Sequence, residues 1–331
     1  MASQSATHLP GVYVKKFALG EGARIAAAGS CFAQHIVRQL RIRNFNVVDV
    51  EPPPPGIEGA TARRFGYLTY SARYGNIYTA RQLVQLIEEA TGVWQPVDWV
   101  WERNGRFFDA LRPSVEPEGL STQDLVRAHR DQHLAAVREM IKSTDVFVFT
   151  LGLTEAWMHR ASGTVYPTAP GTVAGSFNKD FSFINFSTAE VVRDLYRARA
   201  LLQAANPSLR MILTVSPVPL TATATDDHVL LASSYSKAVL RAAAGELAQK
   251  ADVDYFPSYE IITGPQARGQ FFDENLRTVR AEGVAVVMSH FFAQHAELQP
   301  AGRAAVTVPP ASVDELMDDQ CEDALLEMFG S

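Results

Sequence analysis

The sequence predicts an α/β protein: a three-layer α/β/α sandwich on a parallel sheet, with an inserted hairpin and a C-terminal acidic helix. Three observations carry this reading. Short apolar runs alternate with stretches of helical spacing along most of the 331 residues. The runs are apolar throughout, as strands covered on both faces must be. Right-handed crossovers between successive parallel strands then place helices on both sides of the sheet.

Arg24 to Ala28 is the first apolar run, and it ends at Gly29. Phe32 to Ile42 follows with helical spacing, its face formed by Ile36, Leu40 and Ile42. Phe45 to Val50 alternates like a strand and is stopped by four consecutive prolines, Pro52 to Pro55, which cannot continue a ladder. Thr79 to Ala90 reads as a helix. Val97 to Ala110 reads as a hairpin turning at Asn104 and Gly105, an insertion beside the main sheet over about 93–118. Thr122 to Lys142 is a long helix and Asp145 to Leu151 a buried strand. Ser187 and Glu190 form a capping box for a helix that Asn206 and Pro207 stop. Met211 to Val215 is a strand, Ser233 to Lys250 a helix, Val253 to Phe256 a strand and Thr278 to His295 the last helix of the body. The expected organisation is one domain over 1–305 and an acidic tail over 306–331.

Composition narrows the function. Hydrophobic residues are 47 % and charged residues 20 %, the balance of a folded chain with a sizeable core. The net charge of -6 lacks the basic field of a general nucleic-acid binder. Two cysteines, Cys31 and Cys321, exclude a disulfide framework and a four-thiolate zinc site. No apolar run approaches the ~20 residues that cross a bilayer. The N-terminal segment lacks a basic region followed by an apolar run, so a cytoplasmic location is expected. His129 and His133 stand one helical turn apart without an obvious third ligand, and no metal or other cofactor is expected.

No Lys or Arg follows Arg303, and Ser312 to Phe329 holds seven carboxylates among apolar residues of roughly helical spacing. This tail reads either as a helix lying on its own domain or as one that docks in the groove of a protein partner.

The chemistry-bearing candidate is the turn Gly29, Ser30, Cys31. A strand ends, a glycine permits a sharp bend, a nucleophile follows and a helix begins. In open α/β sheets ligands bind outside the carboxyl ends of strands, where a helix N-terminus offers unpaired amides. A hydroxyl or thiol there is expected to be open to substrate; the alternative is a serine that merely caps the helix beside a buried cysteine.

The string GSCFA at this turn resembles the signature of the GSCFA family, a branch of the SGNH (GDSL-like) hydrolases. Further strings in the same order support the resemblance: FGYLTYSARYGNIYTARQL, TLGLTEAW, LTVSPVPL, SYSKAVLR and DYFPSYEI. It implies a flavodoxin-like SGNH fold and hydrolysis or transfer of acyl esters, with a small-molecule or glycan ester as substrate. Gapless comparison with the Gly-Asp-Ser turn of the superfamily sets Cys31 on the serine, and a shift by one residue makes it Ser30. Hydroxyl chemistry, commoner in the superfamily, favours Ser30, with Cys31 as the alternative. Oxyanion donors are expected at Gly75 with Asn76 and at Gly152, whose companion asparagine position falls on Thr154 or Glu155. The Asp-x-x-His of the superfamily falls on Asn275 and Thr278, so that pair is absent. The candidate base is therefore His228, beside Asp226 and Asp227, ahead of His290 and His35. Glu155 is a further candidate. Aromatic residues from Phe65 to Trp101 supply packing, and some can stack on sugar rings. The competing reading is a binding or assembly scaffold whose hydrolase activity has lapsed and whose partner is engaged by the acidic tail.

Overall fold

In the computed structural model, which describes residues 5–295, the chain runs β1 (Ile25–Gly29), α1 (Phe32–Ile42), α2 (Gly59–Arg64), α3 (Ala80–Ala90), β2 (Val100–Arg103), β3 (Arg106–Asp109), α4 (Gln123–Ser143), β4 (Val146–Leu151), β5 (Glu155–His159), β6 (Val165–Tyr166), β7 (Phe181–Asn185), α5 (Thr188–Ala205), β8 (Arg210–Val215), α6 (Val229–Leu247), β9 (Val253–Tyr255), α7 (Ser258–Thr263) and α8 (Ala281–Gln294). The central sheet is parallel, in the order β1-β4-β8-β9. A single parallel bridge, Ile25 with Val47, adds the 45–50 segment outside β1. In chain order the edges therefore read 2-1-3-4-5, the flavodoxin-like order that reverses between β1 and β4.

Register explains the two cores. Ala26, Phe147 and Met211 share one row of the ladder, as do Ala28, Phe149 and Leu213. These side chains face the helices α3, α4, α5 and α6, burying Leu83, Ile87, Val137, Leu195 and Leu240 among others. Their neighbours Ile25, Ala27, Val146, Val148 and Ile212 point the other way, onto Ile36 and Leu40 of α1, Ile261 of α7, and Val287 and Phe291 of α8. Period-two alternation along strands covered on both sides yields the expected three layers.

The insertion hairpin is β2 with β3. Its turn residues Asn104 and Gly105 both have positive φ, +52° and +72°, as a type I′ turn requires. The capping boxes at Thr79 and Ser187 are both formed. Three elements depart from expectation. The 45–50 segment is reduced to one bridge, because Asp49 and Glu51 turn into ion pairs and prolines follow. Helix α6 begins at Val229, not Ser233, since His228 caps it by accepting from the Leu230 amide at 3.2 Å. An antiparallel sheet, β6-β5-β7, leaves the end of β4 where no strands were anticipated. The acidic helix expected over Ser312 to Phe329, and Cys321 with it, lies outside the described residues. Among the described residues no helix is long and apolar enough to cross a membrane.

A buried ion network ties the covering segments to the first core face, through α3 and α4. His133, on α4 and without solvent exposure, bonds through Nδ1 to Glu51 Oε2 at 2.7 Å. Arg73 pairs with Glu116 at 2.8 Å, Arg112 with Asp109 at 2.7 Å, and Arg130 with Glu89. Glu51 is held at about 2 against the opposing effect of burial, by His133 and Arg112 and by the Arg73 amide. Burial and the adjacent Arg112 push His133 down to about 4. The imidazole is therefore neutral at pH 7, with its proton on Nδ1 facing the carboxylate.

The sign of the pH dependence follows. Below pH 6.5 the unfolded chain protonates His133 and the folded chain does not, so stability falls until about pH 4. Below about 4.5 Glu51 adds a second loss that continues towards pH 2. We expect urea-unfolding free energies to drop by up to about 1.4 kcal/mol per pH unit between pH 6.5 and 4. His133→Asn, which keeps a donor near Nδ1, should flatten that interval and leave the lower one.

Candidate active site

The reversal of strand order between β1 and β4 opens the crevice where ligands bind in sheets of this kind. Gly29 ends β1 there with φ +142°, and a Cβ on it would lie 2.4 Å from the Thr150 carbonyl oxygen on β4. No other residue fits that approach. The Ser30 amide donates to the same Thr150 oxygen at 3.2 Å. One turn further, a Cβ on Gly152 would meet Ser30 Cβ at 2.8 Å. Two glycines, one on each strand end, thus fix Ser30 against the β4–β5 turn.

The segment following α2 lies over this turn. Ile77 donates to the Gly29 carbonyl at 2.9 Å, and Tyr74 Oη donates to the Ala27 carbonyl. The Tyr78 carbonyl accepts from both Gly152 and Leu153, each at 3.0 Å. Tyr70 Oη lies 3.2 Å from the Ser30 carbonyl and also contacts Asn76 Oδ1. Gln34, one turn into α1, reaches Tyr70 Oη at 3.2 Å and Asn76 Oδ1 at 3.4 Å.

The two nucleophile candidates are not open to solvent, as expected from the sequence, but buried: Ser30 is 3 % and Cys31 7 % exposed. The polar cover of Gln34, Tyr70 and Asn76 is the reason. Ser30 Oγ has no hydrogen-bond partner among the described residues. A buried hydroxyl left without one is costly. Cys31 opens α1 with helical dihedrals, φ -50° and ψ -35°. The Ala33 and Gln34 amides of its first turn already donate to the Ser30 and Cys31 carbonyls, at 2.8 and 3.0 Å, and the helix dipole puts positive potential at the turn.

The remaining candidates are spread more widely. Asn76 reaches the turn through Tyr70. Gly75 faces away from Ser30, its would-be Cβ against Ser114 and Arg112. The Gly152 amide is already donated to Tyr78, so what this glycine offers the crevice is room for Ser30. Thr154 is buried, its amide donating to Ser236 Oγ at 3.1 Å. Glu155 lies half-buried on the Thr223 hydroxyl at 2.7 Å, and burial raises its pKa. His228 is exposed and occupied as the cap of α6. Asn275 and Thr278, at the positions of the missing carboxylate and imidazole, bond to each other at 2.9 Å and close a turn. Among the described residues no group of three or more His, Cys, Asp or Glu is placed to hold a metal ion.

Two residues of the crevice escape the sequence reading. Lys237 is 4 % exposed and its Nζ donates to the Gly152 carbonyl at 2.8 Å, bringing an ammonium to the floor of the crevice. Gln34 forms part of the cover. The signal for Lys237 is periodicity: Ser233, Ser236, Lys237, Leu240 and Ala244 share the buried face of α6, and a lysine on such a face demands a reason.

The GSCFA family model matches residues 24–291, and the chain belongs to that family. No curated protein matches. Among solved structures, a carbohydrate esterase family 3 from Talaromyces cellulolyticus aligns at 12 % identity over 82 % of this chain and 95 % of its own, with a TM-score of 0.32. An acetyl esterase mutant with acetate ion aligns at 12 % identity over the same shares, with a TM-score of 0.31.

The geometry at the turn has opposite consequences for neighbouring positions. Gly29→Ala should cost roughly 3 kcal/mol or more, through the Thr150 clash and a φ that alanine resists. Ser30→Ala removes an unsatisfied hydroxyl and should raise stability by roughly 1 kcal/mol. Urea denaturation of both variants measures the two effects; a destabilised Ser30→Ala would show that the hydroxyl is satisfied in solution.

Proposed function

We propose that this member of the GSCFA family performs acyl-ester chemistry, hydrolysis or transfer, through a covalent acyl-enzyme on Ser30, with an O-acylated carbohydrate as the substrate class. The observation that carries the reading is the partnerless Ser30 hydroxyl at the switch point, pressed against Gly152 while the Lys237 ammonium holds the same peptide. A hydroxyl spared from structural bonding at a helix N-terminus is one available for chemistry.

In this scheme Ser30 Oγ forms a bond to the acyl carbon, and the ester oxygen departs as an alcohol that carries the serine proton. Water, or a second alcohol in transfer, then attacks the acyl-serine and restores the hydroxyl. Negative charge on the acyl oxygen develops close to the start of α1, where the helix dipole and the Lys237 charge stabilise it. Access requires the 70–78 segment to yield, since Ser30 is covered at rest. Cys31, one residue on, is the alternative nucleophile.

A second reading has its own observation. Asn275 and Thr278 close a turn where the superfamily places its acid and base, and His228 caps a helix. Both facts fit a scaffold that binds rather than turns over.

The test is hydrolysis of p-nitrophenyl acetate by the full chain. Ser30→Ala is expected to fall to background, Cys31→Ala to keep most of the rate, and Lys237→Met to lose about a hundredfold, the scale of a lost oxyanion donor. A fluorophosphonate adduct mapped to Ser30 by mass spectrometry would confirm the nucleophile. Background rates in every form, with no adduct, would leave the scaffold reading.

A further inference from the structure

The string TLGLTEAW ends in two residues that the Ser30 scheme leaves unused, Glu155 and Trp157. They stand two apart on β5 and so point to the same face of the β6-β5-β7 sheet. Directly across the ladder their partners on β7 are Asn185 and Phe183. The opposite face, with Ala156, Met158 and Ile184, packs onto the first core. The face that remains therefore carries a polar pair, Glu155 with Asn185, beside an aromatic pair, Trp157 with Phe183.

The insertion hairpin covers one end of this face: Trp101 of β2 packs on Tyr166 at 5.0 Å and on Phe181 at 6.4 Å. At the other end Trp157 and Phe183 are half-buried, with ring centroids 5.8 Å apart. Phe177, 54 % exposed, meets Trp157 at 5.2 Å and extends the aromatic surface into solvent. The polar pair is set to accept hydrogen bonds. The Thr223 hydroxyl, at 2.7 Å, and the Ala224 amide fix the Glu155 carboxylate. Asn185 Oδ1 is buried without a hydrogen-bond partner among the described residues, a cost that an entering donor relieves. The face also adjoins the crevice. Glu155 follows Gly152, against which Ser30 packs, by three residues, a reach of at most ~10 Å, and Trp157 lies at most ~17 Å from it. Those are the distances of the sugar ring that bears an acyl group and of its neighbour.

We propose that this face is a subsite for an uncharged pyranose ring of the substrate. It rests on the reading of Ser30 as the acyl-accepting residue and narrows the substrate class to acyl esters of neutral glycans. The ligand must offer hydroxyl donors along one edge and apolar C–H surface on its face, and a pyranose offers both. The aromatic row takes the C–H face. The carboxylate and amide oxygens, both acceptors, take the hydroxyls. A uronate would set its own anion against Glu155, so the same row discriminates against acidic sugars.

The experiment uses the full-length Ser30→Ala chain, so that binding is read without turnover. Calorimetric titration with cellobiose at pH 7 should be saturable, and cellobiouronic acid should bind at least about tenfold more weakly. Glu155→Gln should weaken cellobiose about tenfold, the scale of a charge-assisted hydrogen bond, and Phe177→Ala about fivefold. Trp157→Phe should keep more affinity than Trp157→Leu, and an unchanged urea midpoint in Phe177→Ala separates lost stacking from lost folding. No saturable binding, tighter binding of the uronate, or an affinity that neither Glu155→Gln nor Phe177→Ala moves overturns the proposal. A dimer in sedimentation that Phe177→Asp dissociates also overturns it and assigns the face to a second copy of the chain. Cellobiose binding in a chain without esterase activity sinks the hydrolytic reading alone; hydrolysis of p-nitrophenyl acetate by a chain that binds no cellobiose sinks the subsite alone.

Discussion

The approach of Gly29 to the Thr150 carbonyl is the constraint on which the crevice depends. Parallel strands set their ends side by side, but here the first strand ends with no space for a β-carbon. The chain must bend at that glycine, and the bend seats Ser30 on the strand-four side. A second glycine, Gly152, receives it. The helix start and the β4–β5 turn thus meet at Ser30, and Lys237 holds the Gly152 carbonyl beside it. None of these parts could be moved by a residue without losing the convergence.

The ion network has a different task. The segment between α1 and α3 carries little regular structure, yet it forms the cover of the site. It is held by buried charge: Glu51 on His133, Arg73 on Glu116 and on the Phe65 carbonyl. Buried pairs of this kind contribute modestly to net stability but strongly to position, because leaving either partner alone in a dry setting is costly. An irregular stretch is thereby fixed well enough to line a site, which hydrophobic contacts alone would not achieve.

Much of this was legible in the sequence, and the failures have physical causes. Continuous apolar strands, the Asn104-Gly105 turn and the capping box at Ser187 each encode their structure locally. The β5–β7 sheet does not: its strands carry Trp157, His159, Ser182 and Asn185, residues whose pairing is decided by distant partners. The start of α6 was misplaced because histidine is an uncommon cap. The turn at Gly29 was readable as a nucleophile site, but its burial was not, since the cover depends on Tyr70, Asn76 and Gln34 meeting from different segments. Lys237 shows the same limit: its position on α6 is local information, while its contact with Gly152 is not.

A last consequence follows from the short stretch between Val48 and Pro52. Asp49 pairs with Arg41 of α1 and Glu51 joins the ion network, with one residue between them and a run of prolines behind. This piece of chain is a strut: it cannot peel away from one attachment while keeping the other. Detaching it strands Arg41 and His133 together, so the region opens as one cooperative unit at high free energy, and its amides exchange with solvent only as slowly as that concerted event allows.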